Sequence, residues 1–163
     1  MELNYEKLIA ELRYERETGL FFRVRTASSN AVKGSIAGSI GGAGYVLIKI
    51  SGVNHAAHRL AWLHEYRSWP DDQVDHVNGI KTDNRIANLR ACTSAQNRCN
   101  RGKTVANKSG LKGVYWHKKD QRWVAQIRAN GKRFLLGNFK NKEDAHQAYR
   151  AAALKHHGEF SGV

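Results

Sequence analysis

Tyr5, Leu8, Ile9 and Leu12 recur at helical spacing among charged neighbours, which predicts an amphipathic helix at the start of the chain. Glu17-Thr18-Gly19 breaks it, and Leu20 to Arg25 reads as a strand. Residues 28–44 are rich in Gly and Ser and supply turns, after which Tyr45 to Ile50 has the aromatic and β-branched content of a second strand. His55 to Tyr66 reads as a helix that ends before Pro70, the one proline. From residue 73 to 100 the apolar pattern thins while Asp, Asn, His and Arg crowd together. A stretch with so little core to build keeps its polar residues for a site.

After residue 110 the texture changes. Val114-Tyr115-Trp116, Trp123 to Arg128 and Arg133 to Leu136 predict three short strands, and Asn130-Gly131 is the turn of a tight hairpin between the last two. Asn141 suits a helix N-cap with Glu143 and Asp144 in the first turn. Ala145, Ala148, Tyr149, Ala152 and His156 then form one helical stripe. The natural assembly is a three-stranded sheet covered by one Ala-rich helix.

Composition narrows the partners. With 41% hydrophobic and 25% charged residues the chain can build packed cores. Its net charge of +13 favours a polyanion, because each neutralised phosphate releases condensed counterions. An acidic membrane surface is the competing partner, but the sequence carries no long apolar run, lipidation signal or signal peptide. Cys92 and Cys99 lack the paired spacing of a zinc site and read as reduced thiols of a cytoplasmic protein.

The candidate chemistry lies in Val74-Asp75-His76-Val77-Asn78-Gly79, Asp83-Asn84-Arg85, Asn88-Leu89-Arg90 and Gln96-Asn97. Cutting a phosphodiester needs a base for water, a cation for the charge on oxygen, and a frame that holds both in line. An Asp beside a His supplies a hard metal ligand and a base. An Asn amide can add a second oxygen. Magnesium suits so sparse an oxygen site. Taken singly, each of these residues is an ordinary loop or turn former; it is the ordered set that carries the reading.

These motifs resemble the HNH endonucleases of phages and mobile introns, in which a β-hairpin and a helix clasp one divalent metal. The resemblance implies His76 as general base, Asp75 and Asn97 as metal ligands, and Asn88 as the central Asn that holds the loop across the hairpin. The metal would be Mg²⁺, with Mn²⁺ as the alternative, and hydrolysis would leave a 5′-phosphate and a 3′-hydroxyl. Asn97 stands where the family name has its final His, as in homing-type members. His58-Arg59-Leu60-Ala61-Trp62 also looks like part of this subgroup, with no role assigned to His58. Arg59 and Arg85 are candidate DNA ligands.

Ser109 to Trp116, Arg122 to Arg128, Leu136-Gly137-Asn138-Phe139, Glu143-Asp144-Ala145 and Ala148-Tyr149 resemble the Apetala-type DNA-binding domain of plant transcription factors. In that family the sheet enters the major groove and the helix packs behind it. Matching positions give Tyr115, Arg122, Gln126, Arg128 and Arg133 as DNA contacts. Ala125 and Ile127 are the core candidates on the other face. Tyr115 and Leu135 replace an Arg and a Trp of the plant domain, so the plant target sequence does not transfer.

The sequence therefore predicts an α+β protein. Residues 1–103 form an HNH domain of the ββα-metal type, 104–108 a linker, and 109–163 a small three-stranded antiparallel sheet packed on one helix. It is expected to act on double-stranded DNA in the cytoplasm, of a bacterial host if phage-encoded, as a monomer, without membrane or small-molecule cofactor. Two other readings stand beside it: a noncatalytic DNA-binding regulator on the same scaffold, and an RNA-binding or RNA-cleaving protein whose Trp116 and Trp123 stack bases.

Overall fold

The computed structural model describes residues 3–100 and 107–162. The chain divides into two compact units, Met1–Ser94 and Ala95–Val163. Both mix helices with small antiparallel sheets. Most of the expected linker over 104–108, and the expected domain end at 103, fall on residues 101–106, outside the described residues.

In the first unit, α1 spans Tyr5–Glu11, and the Asn4 side chain accepts from Lys7 N at 3.1 Å as its N-cap. The helix stops sooner than its sequence suggests. Leu12 is already extended and opens β1 (Leu12–Glu15), which pairs antiparallel with β2 (Leu20–Arg23). Leu8 and Leu12 fit a helical stripe, yet Leu12 and Tyr14 also fit strand alternation, and both are buried. Ile9, expected on the apolar face, is 40% exposed. Burial of Tyr14 beside Phe21, at 4.8 Å between ring centroids, settles the strand.

A three-stranded sheet follows, with β3 (Ser39–Ile40), β4 (Val46–Ile50) and β5 (Val53–Ala56) in that order. α2 then runs Ala57–Tyr66. It starts two residues later than the sequence predicts, because His55 and Ala56 pair with Ile48 and Leu47 on β4. Finally β6 (Gln73–His76) pairs with β7 (Leu89–Cys92) in a hairpin, and a short 3₁₀ turn over Ile86–Asn88 leads into the second strand. Val74 and Leu89 plug this hairpin into the core of Leu8, Leu12, Phe21, Ile48, Leu60 and Leu63. The polar hairpin therefore sits on a rigid support.

The second unit begins within α3 (Ser94–Asn100). Its sheet has the order β10-β9-β8, with β8 at Val114–His117, β9 at Arg122–Ala129 and β10 at Lys132–Phe139. Asn130 and Gly131 both have positive φ, 50° and 75°, as a type I′ hairpin turn requires. α4 spans Lys142–His157, and Asn141 caps it by accepting from Asp144 N at 2.9 Å. Ala145, Tyr149 and Ala153 are its buried residues; His156, expected on that stripe, is exposed and stacks on Phe134. Gly113 marks how closely α4 approaches: a Cβ there would lie 1.9 Å from the Tyr149 ring. Among the described residues no helix is long and apolar enough to cross a membrane.

Candidate active site and nucleic-acid interface

Strand alternation in β6 would send Asp75 and His76 to opposite faces, yet both are buried, at 6% and 4% exposure. A buried charge and a buried imidazole each need a partner. Register supplies the first. Asp75 stands opposite Arg90 on β7, and its Oδ2 accepts from Arg90 Nη2 at 2.8 Å and from Nε at 3.1 Å. The β6–β7 loop supplies the second: His76 Nε2 lies 3.2 Å from Asn84 Oδ1. The Asn84 amide nitrogen donates to Thr82 O at 3.3 Å, so its oxygen is the atom that faces the ring. That makes Nε2 the donor and places the basic lone pair of His76 on Nδ1.

Asn84 is itself held from afar. Tyr14 OH donates to the Asn84 carbonyl at 2.7 Å. Burial pushes the Tyr14 hydroxyl up to about 12, so it stays a donor. Gly19, at φ +73°, packs so tightly that an added Cβ would meet Arg85 N at 2.4 Å. The β1–β2 hairpin thus clamps the loop that orients His76.

Asn88 binds the same loop by backbone bonds, its Oδ1 accepting from Asn78 N at 3.0 Å and its Nδ2 donating to Asp83 O at 2.8 Å. Val77 N also donates to Asn88 O at 2.9 Å. Asp83 receives Asn78 Nδ2 at 2.8 Å and both Nε and Nη2 of Arg85, at 2.7 and 2.6 Å. The Arg85 bonds, with help from Asn78, hold the Asp83 carboxyl down at about 2, so the loop keeps its charged clasp.

Rings close the far side of His76. His58, on the first turn of α2, meets it edge to face with centroids 5.0 Å apart. Tyr45 lies 5.1 Å from His58 and 6.0 Å from His76, and Lys81 Nζ sits 4.7 Å above the Tyr45 ring while donating to Ala43 O at 2.8 Å. Burial lowers the pKa of His76 below its ordinary 6.5, against the upward pull of Asn84 and Asp75. Burial also takes His58 down to about 4, assisted by His76 and Arg59. Both shifts favour the neutral imidazole at pH 7.

The His58 shift has a measurable cost in acid. A folded pKa below the unfolded one means stability that is complete above pH 6.5 and lost as pH falls through about 4. Over that window the loss reaches about 3 kcal/mol. Urea unfolding at pH 7.5 and pH 4.5 is expected to show it, with the difference reduced in His58→Phe. An equal pH dependence in parent and variant would mean that His58 protonates as readily folded as unfolded.

Of the other expected residues, Arg59 donates to Asp72 O at 3.1 Å and lies 5.6 Å over the Trp69 ring. Arg85, half exposed, is the partner of Asp83. Asn97 is on α3, among the residues that group with the second unit. Among the described residues no three His, Cys, Asp or Glu side chains gather into a metal-binding group. The donors named from sequence, one carboxylate and one amide, are hard oxygens of the kind Mg²⁺ takes when water and substrate complete its shell. Asn84, Tyr14, Tyr45, Lys81 and Arg90 surround the site without having been assigned a role from sequence. Asn84 and Arg90 lay inside the quoted motifs; Tyr14 carried no local signal.

In the second unit, cross-strand partners share a face. Tyr115 pairs with Val124, His117 with Arg122, Gln126 with Leu135 and Arg128 with Arg133. All five expected DNA contacts, Tyr115, Arg122, Gln126, Arg128 and Arg133, therefore lie on one side of the sheet. The other side carries Val114, Trp123, Ala125 and Ile127 against α4. Trp116 pairs with Trp123, so the two tryptophans belong to the helix side. Residues 108–163 hold 12 Lys and Arg against 4 Asp and Glu, so most of the +13 belongs here.

Residues 55–99 match the family model described as HNH endonuclease, and residues 109–159 match that of the AP2 domain. Both matched segments coincide with the motifs that carry the two resemblances. Protein 3.8 of Escherichia phage T7 is 31% identical over 70 residues, covering 43% of this chain and 55% of that protein. An uncharacterized HNH endonuclease, L560, of Acanthamoeba polyphaga mimivirus is 32% identical over 91 residues, 56% of this chain and 46% of that protein. The chain spans about half the length of these curated relatives. A solved structure described as DNA binding and cleavage by the HNH homing endonuclease I-HmuI aligns over 96% of this chain and 91% of its own, at 20% identity and a TM-score of 0.47.

Proposed function

We propose that the chain is a metal-dependent DNA endonuclease, with His76 as general base, Asp75 and Asn97 as metal ligands and Asn88 as the brace of the loop. The observation that carries this reading is the buried His76, oriented through Nε2 by Asn84 so that Nδ1 is its basic atom. An imidazole held below its ordinary pKa is ready to accept a proton at neutral pH.

In this mechanism His76 Nδ1 takes a proton from water as the oxygen attacks phosphorus. The bond from phosphorus to the 3′ oxygen breaks, giving a 5′-phosphate and, after protonation from solvent, a 3′-hydroxyl. Asn84 fixes the ring through Nε2 and faces the imidazolium with an amide oxygen, which favours its positive charge. Arg90 aligns the Asp75 carboxylate. Asp75 and Asn97 are the residues that would hold the divalent cation, Mg²⁺ first and Mn²⁺ second, which would supply Lewis-acid stabilisation of charge on phosphate oxygen. Incubation of supercoiled plasmid with the protein and Mg²⁺ is expected to yield nicked or linear DNA, and none with EDTA. Unchanged plasmid under Mg²⁺ and Mn²⁺ would leave the noncatalytic DNA-binding regulator as the better reading.

The outward sheet face is the proposed DNA anchor. A strand ribbon fits the major groove, and its alternate side chains reach base edges. Arg128→Ala is expected to lower discrimination between a preferred and a scrambled duplex, by about 1–3 kcal/mol if it makes a bidentate base contact. Lys142→Ala, at the start of α4, is expected to weaken both duplexes alike and flatten the salt dependence by about 0.9 log units if it neutralises one phosphate. Titrations of both variants over a salt series separate these outcomes; identical behaviour would withdraw base reading from Arg128. Packing of Trp123 into the helix-side core argues against its stacking RNA bases.

A further inference from the structure

Asn97, the candidate metal ligand outside the β6–β7 hairpin, stands on α3, a helix of seven residues. Isolated helices shorter than about 12–15 residues are marginal in water, and packing on other elements usually supplies their stability. α3 has little apolar surface to offer. Ala95 is exposed, Cys99 is half-buried, and the buried residue of the helix is Asn100, at 9% exposure.

The last turn of α3 is closed by polar groups of the second unit. Lys112 Nζ donates to Cys99 O at 2.6 Å and to Ser161 O at 3.1 Å. A cation on the last carbonyls of a helix satisfies acceptors that lack an intrahelical donor, and it faces the negative end of the helix dipole. Burial lowers the Lys112 pKa, as expected of an ammonium drawn out of water. Gly162, at φ +60°, closes in on the same turn: an added Cβ would lie 2.7 Å from Asn100 O and 3.0 Å from Lys112 Nζ. Phe160 and Ser161 before it are buried. The lysine reaches from a rigid base, since Gly113 O accepts from Gln126 N at 2.9 Å and the same glycine lies against the Tyr149 ring. The end of α3, the Lys112 turn and residues 160–162 thus share one joint.

We propose that Lys112 is a positioning residue for Asn97: by clasping the end of α3 to residues 160–162 it holds the helix so that the amide is presented to a divalent cation. The inference rests on Asn97 being a metal ligand. Asn97 and Asn100 are three residues apart and share a helix face, so the joint that buries Asn100 also sets the face from which Asn97 projects. Outer groups that orient a ligand without touching the metal typically change metal affinity by about 10- to 100-fold when removed.

The test uses the full chain and three variants. Lys112→Met keeps the apolar stem and loses the ammonium, Gly162→Ala strikes the same joint from its other member, and Asn97→Ala removes the ligand itself. Mn²⁺ binding followed by electron paramagnetic resonance needs no cutting; nicking of supercoiled plasmid over a Mg²⁺ series gives the half-saturating concentration. Asn97→Ala sets the scale of both. Lys112→Met is expected to weaken Mn²⁺ binding and to raise half-saturating Mg²⁺ by about tenfold. Its rate at saturating Mg²⁺ and its metal-free DNA affinity are expected to stay near the parent's. Amide exchange is expected to quicken in α3 and to hold at the parent's level in β9 and α4. A lysine that only stabilises its unit would lower the melting temperature and leave the metal dependence alone.

A folded Lys112→Met protein with the parent's metal dependence overturns the proposal. So does one whose DNA binding loses about 0.9 log units of salt slope while its metal dependence stays, the mark of a phosphate ligand. If Lys112→Met does not fold, Gly162→Ala decides: weakened Mn²⁺ binding with α4 intact supports the clasp, and parental binding overturns it. An Asn97→Ala protein that binds metal as the parent does ends the ligand assignment and the positioning role with it. A defect in Asn97→Ala without one in Lys112→Met removes the clasp alone.

Discussion

His76→Ala is expected to abolish plasmid cleavage while leaving DNA affinity unchanged. Losing a general base typically costs about 10² to 10⁴ in rate. Here the upper end is expected, because the surroundings of His76 are built to orient one imidazole: Asn84 on its Nε2, Tyr14 and Gly19 behind Asn84, His58 and Tyr45 on its flank. DNA affinity is proposed to reside on the basic sheet face, so the two properties are expected to separate. Single-turnover nicking and a binding titration on the same plasmid fragment measure them. A variant that cuts at the parent's rate removes His76 from the chemistry, and one that loses binding in proportion to rate makes it a ligand of DNA rather than a base.

The second large effect is on stability. Arg90→Met is expected to destabilise the first unit by about 3–5 kcal/mol, the usual cost of breaking a buried ion pair by removing one partner. The pair qualifies: the side chains of Arg90 and Asp75 are 14% and 7% exposed, and one carboxylate oxygen receives two guanidinium bonds. Adding Asp75→Leu to Arg90→Met is expected to restore most of the loss, since apolar replacement of both partners is often neutral or better. The doubly substituted chain would then be well folded and inactive. Urea unfolding of the full chain, followed by the transition of residues 1–94, gives the comparison. If the single variant loses less than about 1 kcal/mol, the value expected of an exposed pair, Asp75 does not depend on Arg90 for its place.

Why was so much of this legible from residues alone? The polar crowd over residues 73–100 stood out because it had no core to build, and the hairpin that presents it is short and local. Asn130-Gly131 announced its own turn, and even steps from Arg122 to Arg128 placed three side chains on one face before any register was known. What stayed hidden was non-local. Leu12 satisfies helix and strand spacing equally, and only Tyr14, buried 70 residues from its acceptor at Asn84, decides between them. Arg90 reads as one basic residue among 27 until register sets it opposite Asp75. His58 offered a motif without a task, because the ring it packs against lies 18 positions away.

The clamp of Tyr14 and Gly19 on the 84–85 backbone bears on how the molecule is made. Synthesis runs from the N-terminus, so the β1–β2 hairpin leaves the ribosome well before the loop it must hold. Until that loop emerges and finds the waiting hairpin, Asn84 has no anchor and His76 no fixed orientation. Contacts of such long sequence separation form slowly, because chain closure must come before they repay its entropy. The orientation of His76 is therefore set late in the birth of each molecule, once the 84–85 loop has met the hairpin.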